Sequence, residues 1–209
     1  MSHEHNDHCG HEAHDHDHDH QGGSGPDDNL FTQIDRSNVI ALNANGEGSV
    51  VIKPWHQRLD ESEFLQSDAD DSMIIRIPFT ASVKLKSLLL KTGPAEQTPS
   101  KMLLFPNSPT FDFNDVADKA AAQEFDVVQS RDVGEYHLKA AKFSNISHLT
   151  LYLPEAQGGD TLQIYYIGFL GTWTPHQNMP IITVYEAQAN LADHEKIQGT
   201  DSNGFNFKA

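Results

Sequence analysis

The sequence predicts an all-β protein: an antiparallel β-sandwich, jelly-roll-like, with one short helix in a connection. Three observations carry this. Apolar runs are short, about four to eight residues, and end at Gly, Pro, Asn or Asp. Several runs alternate apolar with polar residues, the period of a half-buried strand. No repeated strand-then-helix pattern occurs, so a helix-covered parallel sheet is not expected.

The elements follow in chain order. Gly46-Glu47-Gly48-Ser49 is glycine-rich but lacks the lysine and the strand-to-helix setting of a phosphate loop, so it reads as a hairpin turn. Ser72 to Ile77 reads as a strand stopped by Pro78, because proline cannot donate to a ladder. In Ser82 to Lys91, Val83, Leu85 and Leu89 share one parity, while Lys84 and Lys86 face the other way. That predicts a strand with one wet face. Met102-Leu103-Leu104-Phe105 ends at Pro106, and Leu149, Leu151 and Leu153 alternate with Thr150 and Tyr152 before Pro154. Leu162 to Leu170 is apolar on both parities, as a central strand covered on both faces would be. Ile181 to Tyr185 is apolar and β-branched, hence a further strand. Asn114 to Gln123 is the helical candidate: Asn114 can cap it, and Asp115 and Asp118 sit where a helix dipole favours acids.

The chain of 209 residues divides unevenly. Residues 1–28 form a His/Asp-rich tail and a Gly-rich linker, expected to be disordered. Residues 29–196 form the sandwich, and 197–209 a polar C-terminal tail. The first twenty residues hold eight of the 13 His, six acids and no Lys or Arg. With no apolar face to bury, they cannot offset the entropy of ordering. The formal charge is −16, and −10 remains without the tail's acids. Such a chain repels phosphate backbones and anionic lipid, so neither nucleic acid nor membrane is an expected partner. The one cysteine, Cys9, cannot close an intrachain disulfide, which fits a reducing compartment. No basic-then-apolar leader is visible, and the sequon Asn145-Ile146-Ser147 reads as chance.

Enzyme signatures are missing: there is no Gly-x-Ser-x-Gly elbow. His56, His137, His148, His176 and His194 are isolated rather than paired at ligand spacing. No catalytic residue and no cofactor are therefore expected. The tail residues His14, His16, His18 and His20, interleaved with Asp, could bind Zn, Ni or Cu weakly and adventitiously, because a flexible segment must be ordered to do so. Asp68, Asp70 and Asp71 crowd like charges onto a loop, which requires solvation, a base such as Arg76, or a partner. Trp55 and Trp173 read as core or edge anchors.

Several separate, correctly ordered motifs resemble the PITH domain, the proteasome-interacting module at the C-terminus of thioredoxin-like proteins and of stand-alone relatives. They are Lys53-Pro54-Trp55; Ser67-Asp68-Ala69-Asp70; Ile77-Pro78-Phe79-Thr80 with Val83-Lys84-Leu85-Lys86; Phe143-Ser144-Asn145 with His148-Leu149; and Tyr166-Ile167-Gly168 with Gly171-Thr172-Trp173. Tyr185-Glu186-Ala187, Ala189-Asn190 and Ala192-Asp193-His194 complete the set. The resemblance spans about residues 30 to 196. It departs at Leu191, where the family usually has Pro, and the thioredoxin part with its paired cysteines is absent. The resemblance implies a jelly-roll-like sandwich, residence in cytoplasm and nucleus, and contact with the regulatory particle of the 26S proteasome; a non-catalytic monomer that binds this or another large protein complex is therefore expected. Asp68, Asp70, Asp193 and His194 are the candidate contacts. A sandwich that binds a small, sugar-like ligand is the alternative, as is metal handling by the tail.

Overall fold

The computed structural model describes residues 25–175. The expected strand Ile181–Tyr185, the C-terminal tail and residues 1–24 lie outside them. Nine strands occur among the described residues: β1 (Ile40–Leu42), β2 (Ala44–Asn45), β3 (Leu65–Ser67), β4 (Met73–Thr92), β5 (Lys101–Pro106), β6 (Gln123–Asp126), β7 (Gly134–His137), β8 (Ile146–Leu153) and β9 (Gln163–Thr174). All pairings are antiparallel.

The 20-residue β4 organises the rest. Its first part pairs with β1 on one side and β8 on the other, and β8 continues to β5 and β6. Its second part pairs with β7 and β9, and β9 continues to β3 and β2. One strand thus serves both ladders of the sandwich, and their inner faces meet in one core. Met73, Ile75 and Ile77 of β4 and Leu149, Leu151 and Leu153 of β8 face Leu65, Ile167 and Phe169 there.

Pro78 does not end the strand. It stands where the pairing with β8 breaks register, between Pro78 and Val83, so its missing N–H falls where the ladder is already interrupted. Its carbonyl accepts the Asp35 N–H at 2.9 Å. A second register shift lies between Leu85 and Ser87. It moves the inward parity from Val83 and Leu85 to Leu88 and Leu90, so Leu89, expected on the same face as Val83, is outside the main core. The wet face expected for Ser82 to Lys91 accordingly shrinks to Lys84 and Lys86, and Ser87 to Thr92 are all buried.

The expected helix Asn114–Gln123 is absent; no α-helix occurs among the described residues. The segment makes one turn, in which the Asp115 carbonyl accepts the N–H groups of Asp118 (3.1 Å) and Lys119 (3.0 Å). Val116 and Ala121 both dock on a second small core of Ile74, Phe105 and Phe111. A helix would set those two about 140° apart at about 100° per residue, so it could not bury both on one surface. Phe111 stacks on Phe105 with centroids 4.1 Å apart, covering the outer side of the β4–β8–β5 ladder. The Gly46–Ser49 turn leads into a 3-10 turn, Gly48–Val51, rather than a hairpin, since β2 pairs with β3.

Two motif glycines have a packing reason. A Cβ at Gly168 would lie 2.3 Å from the Tyr166 hydroxyl, two residues back on the same face of β9. A Cβ at Gly171 would lie 2.2 Å from the Lys84 carbonyl oxygen, so only glycine allows β9 to approach β4 this closely. Burial pushes the Tyr166 phenol up to about 12, which keeps it neutral inside the core.

Candidate functional site

The acidic loop is held by a neutral residue. Asn43, between β1 and β2, adopts φ 56°, a left-handed conformation that asparagine tolerates better than most residues. Its side-chain N–H₂ donates to Asp70 Oδ1 and to the Ser72 carbonyl, both at 2.7 Å, and its Oδ1 accepts the Ala69 N–H at 2.9 Å. Asp70 Oδ1 also accepts from the Ser72 hydroxyl (2.7 Å) and the Ser72 N–H (2.9 Å). The Ser72 hydrogen bonds, assisted by Asn43, hold the Asp70 carboxyl below its ordinary range. Asp71 Oδ2 accepts the Ala156 N–H at 2.9 Å, tying the loop to the β8–β9 connection. Arg76, which the sequence offers as a neutralising base, instead donates to the Phe111 carbonyl at 2.8 Å. Asp70 and Asp71 thus shape the loop, and the exposed Asp68 is carried on it.

A second charged region escapes sequence reading. Lys53 and Lys91 are 5% and 2% exposed. A buried ammonium costs several kcal/mol, on the order given for desolvated ions, unless fixed partners compensate it. Lys53 Nζ donates to the carbonyls of Asp60 (2.9 Å) and Glu63 (2.7 Å). Lys91 Nζ lies 3.0 Å from Glu61 Oε1 and donates to the Arg131 carbonyl. Two lysines from distant parts of the chain therefore grip one loop, residues 60–63. Beside Lys91 opens a cleft of about 530 Å³, lined by Glu61, Lys91, Gly93, Gln129, Arg131 and Tyr165 among others. The Tyr165 phenol is pushed up by burial and by the Glu61 charge. One signal for this site is visible in sequence: Lys91 continues the apolar run Leu88-Leu89-Leu90. Its partner Arg131 is 40 residues away, and no spacing rule links them.

A second cleft of about 530 Å³ lies between Pro26, Phe31, Pro54 and Trp55. Trp55 is half-buried there, with the Arg58 guanidinium 4.4 Å from its ring centroid. Trp173 pairs with Val83 at the end of β9 and stays 49% exposed, so it is an edge residue and not a core anchor.

One grouping imitates a catalytic triad. Ser87 Oγ lies 3.0 Å from His137 Nδ1, and Glu135 Oε1 lies 3.6 Å from the same nitrogen. A triad needs nucleophile and orienting acid on opposite ring nitrogens, and here both meet Nδ1. Among the described residues, no group of three or more His, Cys, Asp or Glu is placed to hold a metal ion. Of the sequence candidates, Asp68 and Asp70 both lie on the Asn43-pinned loop. Asp193, His194, His14, His16, His18 and His20 lie outside the described residues.

Comparison with known proteins agrees with the motifs. The PITH domain profile matches residues 20–189. A PITH domain-containing protein of Drosophila pseudoobscura pseudoobscura is 41% identical over 198 residues, covering 93% of this chain and 92% of the relative. Human PITH domain-containing protein 1 is 38% identical over 182 residues, covering 84% and 85% respectively. Among solved structures, a fucolectin from striped bass serum is similar in fold alone. Its TM-score is 0.51 at 12% identity, with 72% of this chain and 51% of that one covered. The antiparallel sandwich, the ordered motifs and these relatives together establish that the chain belongs to the PITH domain family.

Proposed function

We propose that this chain is a non-catalytic interaction module of the cytoplasm and nucleus that docks, as a monomer, on the regulatory particle of the 26S proteasome. Family membership supports the non-catalytic part, and the motif resemblance supplies the partner. The observation that carries a docking role is the Asn43-pinned loop. It presents Asp68 on a preorganised backbone, so ordering costs on binding are small. Asp68 and Asp70, with Asp193 and His194 farther along the chain, are the proposed contacts. No cofactor is required, and the tail histidines bind Zn, Ni or Cu only adventitiously.

The sugar-binding alternative finds less support. Tyr165, the ring beside the charged cleft, is 9% exposed, with Phe64 edge-on at 6.0 Å and Lys91 Nζ 5.8 Å from its centroid. It offers no open face on which a pyranose could stack. The deciding experiment is quantitative cross-linking of the full chain to purified 26S proteasome at low and physiological salt. Salt-sensitive cross-links that include the 68–71 loop are expected. Complete absence of cross-linked proteasome subunits would end this reading.

A further inference from the structure

We propose that the cleft beside Lys91 is a binding site for a carboxylate group of a peptide, with Arg131 as the clamp and Lys91 as the residue that positions it. This goes beyond docking through the acidic loop and stands on a different surface.

The charge balance comes first. In a chain of formal charge −16, this cleft gathers two cations, Lys91 and Arg131, against one lining carboxylate, Glu61. The local excess is positive, opposite in sign to the whole.

The ammonium has unused capacity. Lys91 carries three N–H donors. The Arg131 carbonyl and Glu61 take two of them, and no described residue supplies an oxygen to the third. A cleft wall is where a ligand oxygen can complete it.

The clamp is preorganised. Lys91 holds the backbone carbonyl of Arg131, so a buried group fixes the main chain of an exposed arginine that lines the cleft. A guanidinium presents a planar fork that matches a carboxylate bidentately.

The same geometry argues against a phosphate dianion. Glu61 Oε1 sits 3.0 Å from Lys91 Nζ, so a second negative charge on the ligand would face that carboxylate. A monoanion fits, and Glu61 remains available to accept a peptide N–H from the same ligand.

The test is an NMR titration of the full chain with three short probes. One is an acetylated tetrapeptide with a free C-terminal carboxylate. The second is the same peptide amidated, and the third is an amidated peptide carrying an internal glutamate. Inorganic phosphate is a fourth arm. Saturable shifts of the Gly93, Ser130 and Arg131 amides are expected with at least one carboxylate probe and not with the neutral one. Whichever carboxylate probe binds identifies the source as chain terminus or acidic side chain. Arg131→Gln, an exposed change, should weaken binding about fivefold or more while leaving the spectrum of the core unchanged. No saturable shift with either carboxylate, equal binding by the neutral peptide, tighter binding of phosphate, or unchanged affinity in Arg131→Gln would each overturn the assignment. Proteasome cross-linking through the 68–71 loop is independent of all these outcomes, so the two readings can fail separately.

Discussion

The loop at 68–72 and the loop at 60–63 are both acidic, yet they are held in opposite ways. At 68–72 Asp68 and Asp70 stay exposed, Asp71 is half-buried against the Ala156 N–H, and a neutral asparagine does most of the fastening. At 60–63 the fastening is done by two buried lysines, and Glu61 serves as counter-charge. Exposed like charges cost little to keep in water, so the first loop carries them at its surface without buried counter-charges. A buried ammonium needs fixed oxygen partners to offset its desolvation, so the second loop is tied by its carbonyls and by Glu61 to two buried lysines.

Substitutions can break this contrast, beginning with the largest expected effect. Lys53→Ala removes the donor to two carbonyls at a site 5% exposed, and should destabilise by about 3 kcal/mol in urea unfolding. A loss below about 0.5 kcal/mol would mean that water replaces the ammonium and that the loop is not gripped. Asn43→Ala loses the bonds to Asp70, Ala69 and Ser72 and keeps an unfavourable positive φ; about 2 kcal/mol is expected. Faster amide exchange at Ala69 should accompany it.

Glu61→Ala leaves Lys91 buried without its carboxylate. Because Glu61 is 55% exposed and water can partly replace it, about 1–2 kcal/mol is expected. Lys91→Met should cost less, since it removes the buried charge and leaves Glu61 to solvent. If Lys91→Met proved the more damaging of the two, the ion pair would not be the governing term.

Acid should act on the 68–72 loop. The Asp70 carboxyl lies below its ordinary value in the folded protein, so its contribution is fully present above about pH 4 and is lost as pH falls through the folded value. The Ser72 amide resonance should report the loss, and a midpoint at or above the ordinary aspartate value would contradict the hydrogen-bond arrangement. Asp68→Lys is the smallest effect on folding, within about 0.5 kcal/mol, with weakened proteasome cross-linking expected. Unchanged cross-linking would remove Asp68 from the contact surface.

Much of the fold is legible in the sequence, because side-chain parity reports burial directly. Leu149, Leu151 and Leu153 face the core as their alternation predicts, and Gln163 to Phe169 are buried on both parities. What misleads is any rule that reads one residue in isolation. Pro78 looks like a stop, and would be one had the ladder not already changed partners there. Asn114 looks like a helix cap, but Val116 and Ala121 gain more by reaching the Phe105–Phe111 surface than a short helix gains from its own turns. The candidate sites divide in the same way. The crowding of Asp68, Asp70 and Asp71 is visible as a run. Their separation into shaping and exposed residues depends on Asn43, some 26 to 27 residues earlier in the chain, and on Ala156, 85 residues after Asp71.

The sequence by itself determined the class of fold, the family, the acidic composition and the double-sided burial of Gln163 to Phe169, because all of these are written in local composition and period. Tertiary structure alone decided that one long strand serves two ladders, that Arg76 turns away from the acids, and that Lys91 meets Glu61 and Arg131. Those outcomes depend on register shifts and on contacts between distant segments. Their energies come from desolvation at a particular place, which a linear pattern does not encode.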